Sequence, residues 1–246
     1  MKSVPARTSA CATAVLALAM LGGCATGPNA DPRDPLEPFN RSIYSFNDGV
    51  DRAVLKPVAQ AYNDTLPSPV RTGVRNFFNN LSDVWTGVNA LLQLRGQAAV
   101  ESLFRVQVNT VFGLGGLIDV ASDARIPRHR EDFGKTLGYW GVPTGPYLVL
   151  PLLGPSTVRD TAALPADVWG NPVSHVSDHG VRYGLYGLRV IDTRAQLLRA
   201  SDVVDEIALD KYTFTRDSYL QLRGAPAAPQ NDEPFDYTAP PQSEGK

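Results

Sequence analysis

The sequence predicts an all-α protein that is interrupted by irregular apolar segments rich in glycine and proline. Three observations lead to this fold class. Apolar residues recur at spacings of three and four over most of the chain, which is the period of a helix face. Alternation of apolar and polar residues, the pattern of a half-buried strand, is scarce. Two long stretches without a charged residue contain too many glycines and prolines to continue a helix.

The clearest helix is predicted to begin at Ser68 and to run to about residue 92. Ser68 is a favoured N-cap residue, and Pro69 suits the first helical turn. One face of this helix would carry the apolar residues Val70, Val74, Phe77, Phe78, Leu81, Val84, Trp85, Val88, Leu91 and Leu92.

Two further apolar stripes predict two more long helices. The second stripe consists of Val100, Leu103, Phe104, Val108, Val111 and Phe112, and the third of Val181, Leu185, Leu188, Ile191, Ala195 and Leu198. Shorter helices are predicted near residues 38–54, 157–167 and 211–222. Each stripe, taken alone, is explained by a helix that packs its apolar face into a water-soluble core.

Residues 136–158 form the first charge-free stretch, with 23 consecutive uncharged residues. Its length would cross a bilayer, but it contains four prolines and four glycines, and each internal proline costs about 3 kcal/mol in a helix. A spanning helix is therefore excluded, because unpaired amides are not tolerated in hydrocarbon. The stretch is expected to pack irregularly inside a helical body, or to lie at a membrane interface with Tyr139, Trp140 and Tyr147 at the headgroup level.

Residues 106–118 form the second charge-free stretch, and their "GLGGL" sequence is expected to break a helix. Gly113, Gly115 and Gly116 do not form a G-x-G-x-x-G motif, so a phosphate-binding loop is not favoured. Residues 121–133, between the two stretches, are dense in charge. We therefore expect this segment to be solvated or to lie at a polar headgroup surface.

The N-terminus predicts a signal peptide followed by a lipid anchor. Residues 1–23 combine two basic residues with an apolar run that is too short to span about 30 Å of hydrocarbon. Cys24 directly follows Leu21-Gly22-Gly23, which resembles the bacterial lipobox, whose cysteine receives a diacylglyceryl group. An ordinary cleaved signal would leave the placement of this cysteine unexplained. Ala25 at the next position resembles a sorting signal for export to the outer membrane.

The remaining chain divides into three parts. Residues 24–35 are predicted to be a lipidated tether, residues 36–223 one helical domain, and residues 224–246 a disordered tail with five prolines and few aliphatic residues. Without the signal peptide the chain has 21 basic and 25 acidic residues and no basic cluster, which argues against nucleic acid as a partner. Cys11 is removed with the signal and Cys24 carries lipid, so no thiol chemistry is expected.

Residues typical of catalysis or metal binding are sparse. His175 and His179 have the spacing of two helical metal ligands, but Pro172 and Gly180 argue against a helix there, and a polar turn is favoured. Ser156 lacks the G-x-S-x-G environment of a nucleophile and is predicted to be a helix N-cap. His129 is expected at the surface. The sequence therefore predicts no catalytic residue, no metal and no cofactor.

Five segments carry a family resemblance: DPLEPFNRSIYSFND (34–48), NTVFGLGGLIDVAS (109–122), DFGKTLGYWGVPTGPYLVLPLLGPSTVRD (132–160), IDTRAQLL (191–198) and YTFTRDSYLQLRG (212–224). They resemble the MlaA, or VacJ, family of outer-membrane lipoproteins over nearly all of residues 34–224. The third segment is the most specific. One departure is Pro38, where a glycine is common in the family.

The resemblance implies a ring-shaped, all-helical body that lies in the inner leaflet of the outer membrane and is pierced by an amphipathic channel. It also implies association with a trimeric porin, uptake of phospholipids mislocated in the outer leaflet, and their transfer to a soluble periplasmic carrier. The family gives no catalytic residues. Alternatives are a structural, porin-associated lipoprotein without lipid transport, and a phospholipase-like enzyme with an unrecognised nucleophile and base.

The resemblance directs attention to two regions as the neighbourhood of the channel or its gate. The first is the Phe46-Asn47 segment, and the second comprises Asn109, Phe112, Gly115 and Gly116. For each of these residues a role in packing explains the sequence equally well.

Overall fold

The computed structural model describes residues 31–224. The predicted signal peptide, Cys24, the first part of the tether and residues 225–246 lie outside this range. The described part contains nine α-helices, which we number in chain order: α1 Glu37–Val50, α2 Lys56–Thr65, α3 Ser68–Leu92, α4 Gly96–Val111, α5 Val120–Asp123, α6 Phe133–Tyr139, α7 Val158–Gly170, α8 His179–Ile207 and α9 Lys211–Gly224. The prediction of an all-helical protein is confirmed, with helix making up about 73% of the described residues.

Three shorter elements connect these helices. A π-helical turn, Asp51–Leu55, joins α1 to α2, and a 3₁₀ turn, Pro172–His175, precedes α8. Strands β1, Tyr147–Leu150, and β2, Gly154–Thr157, form an antiparallel hairpin in which Tyr147 pairs with Thr157 and Leu150 with Gly154. This hairpin lies within the charge-free stretch that we expected to be wholly irregular.

The predicted helix from Ser68 to about residue 92 is present as α3, but its N-cap differs. Pro67, with an extended ψ of 146°, occupies the cap position, and Ser68 is the first helical residue. The cap of α7 is displaced by one residue in the opposite direction. Thr157, the last residue of β2, accepts the hydrogen bond from the amide of Asp160 at 3.2 Å, and Ser156 lies one position too early to be the cap.

Helices α3 and α4 form an antiparallel pair through small residues. Ala90, Ala98 and Ala99 make up one buried cluster between them. A Cβ atom on Gly87 would lie 2.9 Å from Cδ2 of Leu103, which is closer than normal contact. A larger residue at position 87 would therefore force the Leu103 side chain to shift.

The first described residues, 31–36, form a strap that is held by the C-terminal helix α9. Arg216 of α9 lies 3.2 Å from Asp31 and 3.6 Å from Asp34, and the Tyr212 hydroxyl donates to Asp34. The carbonyl of Arg33 accepts from the amide of Tyr147, at 2.9 Å, so the strap also contacts β1. The end of the predicted tether is thus fixed to the hairpin and to α9.

The strap predicts a loss of stability in acid. The hydrogen bonds of Arg33, with support from the charge of Arg216, lower the pKa of Asp31 from 3.8 to about 2 in spite of partial burial. A carboxyl whose pKa is lower in the folded state stabilises the protein above pH 4 and loses this contribution as the pH falls towards 2. Thermal unfolding in mild detergent should therefore show a smaller fall in Tm between pH 4 and pH 2 for Asp31→Asn than for the wild type. The exposed Asp123→Asn controls for removal of one negative charge, and identical slopes for all three proteins would contradict the prediction.

Candidate functional site

Helix α4 exposes its apolar face and buries its polar face. Val100, Phe104 and Val111 are 67%, 51% and 71% exposed, and they follow the spacing of one helix side. The opposite side, with Ser102, Arg105 and Asn109, is buried. The expectation that this apolar stripe packs into a water-soluble core is wrong for α4.

The apolar surface continues into the loop that follows α4. Phe112 is 71% exposed, and the further exposed residues of this loop are Leu114, Leu117 and Ile118. Leu114, Gly115 and Gly116 all have positive φ angles, of 53°, 71° and 93°, which end the helix as the "GLGGL" sequence predicted. A Cβ atom on Gly116 would lie 2.6 Å from Nδ2 of Asn80, whereas Gly115 faces open space. The lack of a side chain at Gly116 therefore lets the loop pack against Asn80 of α3, whereas Gly115 has no neighbour within 4 Å.

A network of four charged side chains forms the buried polar interior beneath α4. Arg105 donates to Asp119 at 2.8 and 3.0 Å and to Asp83 of α3 at 3.4 Å. Arg128 donates to the other oxygen of Asp83, at 3.0 and 3.2 Å. Each carboxylate thus has a guanidinium partner, as a buried charge requires. The network joins α3, α4 and the segment from Asp119 to Arg128.

The electrostatics of this network differ between its two carboxylates. Burial raises the pKa of Asp83, although Arg128 and Arg105 act against the change. Burial acts in the same direction on Asp119, but hydrogen bonds from Ser122 and Asn109 and the charge of Arg105 bring its pKa below the usual value. Burial also lowers the pKa of Arg128. The surroundings therefore stabilise the ionised form of Asp119 and disfavour the ionised form of Asp83.

Asn109 has both ends of its amide occupied by this network. Its Nδ2 donates to Asp119 at 3.0 Å, and its Oδ1 accepts from the amide of Ala121 at 2.8 Å. Its contacts are those of a residue that fixes the loop after α4. Any influence on a channel would be exerted through that loop.

The charged segment 121–133 is only in part the solvated excursion that we expected, because Asp123, Arg125 and Arg130 are exposed but other charges of the segment reach the interior. Arg128 reaches the buried Asp83, and Nε2 of His129 lies 2.6 Å from Glu101. Glu131 is 2.8 Å from Arg95, and its side chain is only 9% exposed. The segment folds back over α3 because its charges find partners there, and the expected surface position of His129 is wrong.

Asn47 and Asn40 of α1 clamp the β-hairpin. Asn40 donates to the carbonyl of Tyr147 at 3.1 Å and accepts from the amide of Val149 at 2.9 Å. Asn47 donates to the carbonyl of Leu150 at 2.9 Å and accepts from the amide of Leu152 at 2.8 Å. Asn40 and Asn47 are seven residues apart on a helix, a rise of about 10.5 Å, and their partners Tyr147 and Leu150 are three residues apart on a strand, a rise of about 10 Å. The two side-chain amides therefore have the same spacing as the backbone groups that they bind.

Phe46 and the hairpin turn are exposed beside this clamp. Phe46 is 54% exposed, and the turn presents Leu152 and Leu153. Asn47 thus connects the exposed end of the hairpin to α1. These contacts place Asn47 in a positioning role, and they leave the apolar ring of Phe46 available for other partners.

The three aromatic residues predicted at a membrane interface differ in exposure. Tyr139 and Trp140 are exposed, and Nε1 of Trp140 donates to the carbonyl of Leu92 at 3.0 Å. Tyr147 is completely buried and packs with Val149, Tyr212 and Leu220. The prediction for Tyr147 is wrong, because this residue starts β1 and faces α9 instead of the surface.

No group of three or more metal-binding side chains occurs within residues 31–224. In the same range, no helix is both long enough and apolar enough to cross a membrane. The surface and interior described above provide apolar contact on the outside and satisfied polar groups inside.

The model of the MlaA lipoprotein family matches residues 32–225. The chain belongs to the MlaA lipoprotein family. The resemblance of the five sequence segments to MlaA is thereby confirmed. The matched region covers nearly the whole described structure, including α4, its loop and the hairpin.

Named MlaA relatives extend the comparison. The intermembrane phospholipid transport system lipoprotein MlaA of Escherichia coli K12 is 39% identical over 212 residues, which is 84% of each chain. That of Haemophilus influenzae is 34% identical over 231 residues, covering 87% of this chain and 89% of its own. A solved structure that concerns maintenance of bacterial outer-membrane lipid asymmetry has a TM-score of 0.68 and 38% identity, covering 77% of this chain and 96% of that one.

The structure also brings forward residues that the sequence did not single out within the MlaA motifs. Arg105 and Asp119 bracket the charge-free stretch 106–118, and they form an ion pair. This bracketing was a usable signal, because two opposite charges at the ends of an apolar run favour a closed loop. Asn40, seven residues before Asn47, was detectable by the same helix spacing.

Proposed function

We propose that this protein is an outer-membrane lipoprotein that takes up phospholipids mislocated in the outer leaflet and passes them to a soluble periplasmic carrier. In this role it maintains the lipid asymmetry of the outer membrane. The relatives from E. coli and H. influenzae are phospholipid transport lipoproteins by name, and the chain covers more than four fifths of their length. Family membership and the lipobox-like position of Cys24 support the outer-membrane location.

The reversed arrangement of α4 is the observation that carries the proposal. A soluble protein gains stability by removing apolar side chains from water, whereas α4 turns Val100, Phe104 and Val111 outwards. Together with the loop residues Phe112 and Leu114, they form an apolar surface that water would not favour. A body seated in one leaflet, with lipid on this side, removes that surface from water without a spanning helix.

The polar interior supports passage of a headgroup. A phospholipid headgroup needs hydrogen-bonding partners along its path, and the acyl chains need apolar surroundings. The buried side of α3 carries the polar residues Asn80, Asp83, Thr86, Asn89 and Gln93. These side chains are hydrogen-bonded to other parts of the fold, so a headgroup passing here would exchange those bonds for its own. Transport of this kind changes no covalent bond, so no catalytic group is required.

Purification of the lipidated protein in mild detergent tests the function most directly. We expect phospholipid and a trimeric porin to copurify with it, and cells without the protein to expose phospholipid to an externally added phospholipase. Copurified porin without phospholipid would instead favour a structural envelope lipoprotein. Lysophospholipid formed by the pure protein would indicate an enzyme.

The seating in the membrane is tested by labelling single cysteines. Val100→Cys, Phe112→Cys and Leu152→Cys should be shielded from a water-soluble maleimide in intact membranes, because lipid covers these exposed apolar positions. The matched control is Arg199→Cys, since Arg199 is an exposed polar position on α8. All four should label after solubilisation in denaturing detergent. Equally rapid labelling of all four in membranes would mean a water-soluble domain that is tethered by its N-terminus alone.

A further inference from the structure

Within residues 31–224, a guanidinium between α8 and α3 lacks the carboxylate partner that buried arginines such as Arg105 and Arg159 possess. Arg189 of α8 is half-buried, and Nη2 donates to the hydroxyl of Ser82, at 3.2 Å. The Ser82 hydroxyl is already engaged with the carbonyl of Phe78, at 2.9 Å. By contrast, Arg105 and Arg159 each lie within 3.4 Å of an aspartate.

The surroundings oppose the charge of Arg189. Burial lowers the pKa of Arg189, and an electrostatic interaction with Tyr186 raises it by a smaller amount. The side chain nonetheless stays protonated, because an arginine does not lose its proton in proteins. A half-buried cation without a counter-ion is partly desolvated, and an anion bound from outside would offset this cost.

The acidic residue nearest in sequence on this helix is engaged with other partners. Asp192, one turn after Arg189, accepts from the Tyr62 hydroxyl at 3.1 Å and from Nε2 of Gln196 at 2.7 Å. The same side of α8 carries Tyr186, whose hydroxyl lies 2.7 Å from that of Ser174, and Arg182 one turn further towards the N-terminus. Hydroxyl groups and guanidinium groups therefore dominate this interface.

About three turns before Ser82 on α3, a second guanidinium has only neutral hydrogen-bond partners among residues 31–224. Arg71, near the start of α3, donates to the side chains of Asn63 and Ser68, and its Nε is buried without a hydrogen-bond acceptor. Arg71 and Arg75 both act electrostatically on Tyr62, the residue that holds Asp192. The N-terminal part of α3 thus places two positive charges close to Tyr62.

We propose that Arg189 binds the phosphate of a phospholipid in the seam between α8 and α3. This inference rests on the proposed transport function and names the residue that would engage the headgroup. The planar guanidinium fork matches two phosphate oxygens, and phosphate supplies the missing negative charge. Inorganic phosphate offers the same chemistry, but it lacks the acyl chains that the apolar surface would bind.

The test compares Arg189→Gln with the matched control Arg199→Gln, which removes an exposed charge from the same helix. Native mass spectrometry of the detergent-purified, lipidated protein would count bound phosphatidylglycerol, with diacylglycerol as the phosphate-free lipid. We expect phosphatidylglycerol to bind Arg189→Gln roughly tenfold more weakly than the wild type, since charged hydrogen bonds are lost. Diacylglycerol binding should be unchanged, and Arg199→Gln should behave as wild type.

Two further measurements distinguish the proposal from a site for free phosphate and from a purely structural role of Arg189. If Arg189→Gln loses binding of inorganic phosphate but keeps that of phosphatidylglycerol, the site takes a free anion and the proposal is overturned. The Tm of lipid-free Arg189→Met should equal or exceed that of the wild type, because an unpaired and half-buried charge is removed. A clearly lower Tm, or failure to fold, would assign Arg189 to the structure and overturn the proposal as well.

The outcome for the wild type separates this inference from the proposed function. A wild-type protein that binds no phospholipid would contradict lipid transport itself. If the wild type and Arg189→Gln bind phosphatidylglycerol with equal affinity, the result would contradict only the role of Arg189.

Discussion

Replacing Arg105 with methionine is expected to destabilise the protein by about 3–5 kcal/mol, the range for removal of one partner from a buried ion pair. Arg105 is 1% exposed and contacts both Asp83 and Asp119. Methionine fills a similar volume, but it leaves Asp119 with only neutral donors and Asp83 with Arg128 alone. The midpoint of chemical unfolding, followed by circular dichroism in mild detergent, measures the change.

Arg130→Met is the matched control for Arg105→Met. Arg130 belongs to the same charged region of the fold but is exposed, so its replacement should change stability by no more than about 0.5 kcal/mol. The loop after α4 should also loosen in Arg105→Met, because Asp119 anchors it. Equal unfolding midpoints for the two variants would show that the buried network does not hold the fold together.

The second large effect is expected for Asn40→Asp. The Nδ2 group of Asn40 donates to Asp34 at 2.8 Å and to the carbonyl of Tyr147 at 3.1 Å, in a fully buried position. The substitution keeps the shape but places a second carboxylate against Asp34. Repulsion and the lost donor should destabilise the protein by about 3–5 kcal/mol at pH 7.

The direction in which the stability loss of Asn40→Asp changes with pH shows whether repulsion between carboxylates causes it. Burial beside Asp34 would raise the pKa of the introduced carboxyl above its unfolded value of about 3.9. The penalty, measured against the wild type at each pH, should therefore be small below pH 4, where the protonated carboxyl can donate, and should grow as the pH rises. Asn47→Asp is the control, since Asn47 contacts only backbone groups and is half-buried, and we expect a loss of about 1–2 kcal/mol. A penalty for Asn40→Asp that does not change with pH would contradict this explanation.

Local signals determined the helices correctly where they were strong. The apolar stripe after Ser68 and the prolines around it predicted α3 from end to end, and "GLGGL" predicted where α4 ends. The cap residues were misplaced by one position at Ser68 and Ser156, because a cap depends on where the preceding extended segment stops. Residues 147–157 carried no alternating pattern, so the hairpin became visible only when α1 supplied Asn40 and Asn47 as hydrogen-bonding partners.

The sequence by itself determined that the chain is helical, that α4 is amphipathic, and that it resembles MlaA. Only the tertiary structure decided which face of α4 lies inside. A stripe of apolar residues has the same period whether it packs against a core or faces outwards, because periodicity records the difference between two faces and not their surroundings. The decision came from the other side of the helix, where Arg105 and Asn109 meet Asp83 of α3 and Asp119 of the following loop. Once these charges were satisfied only in the interior, the apolar face of α4 had to lie outside.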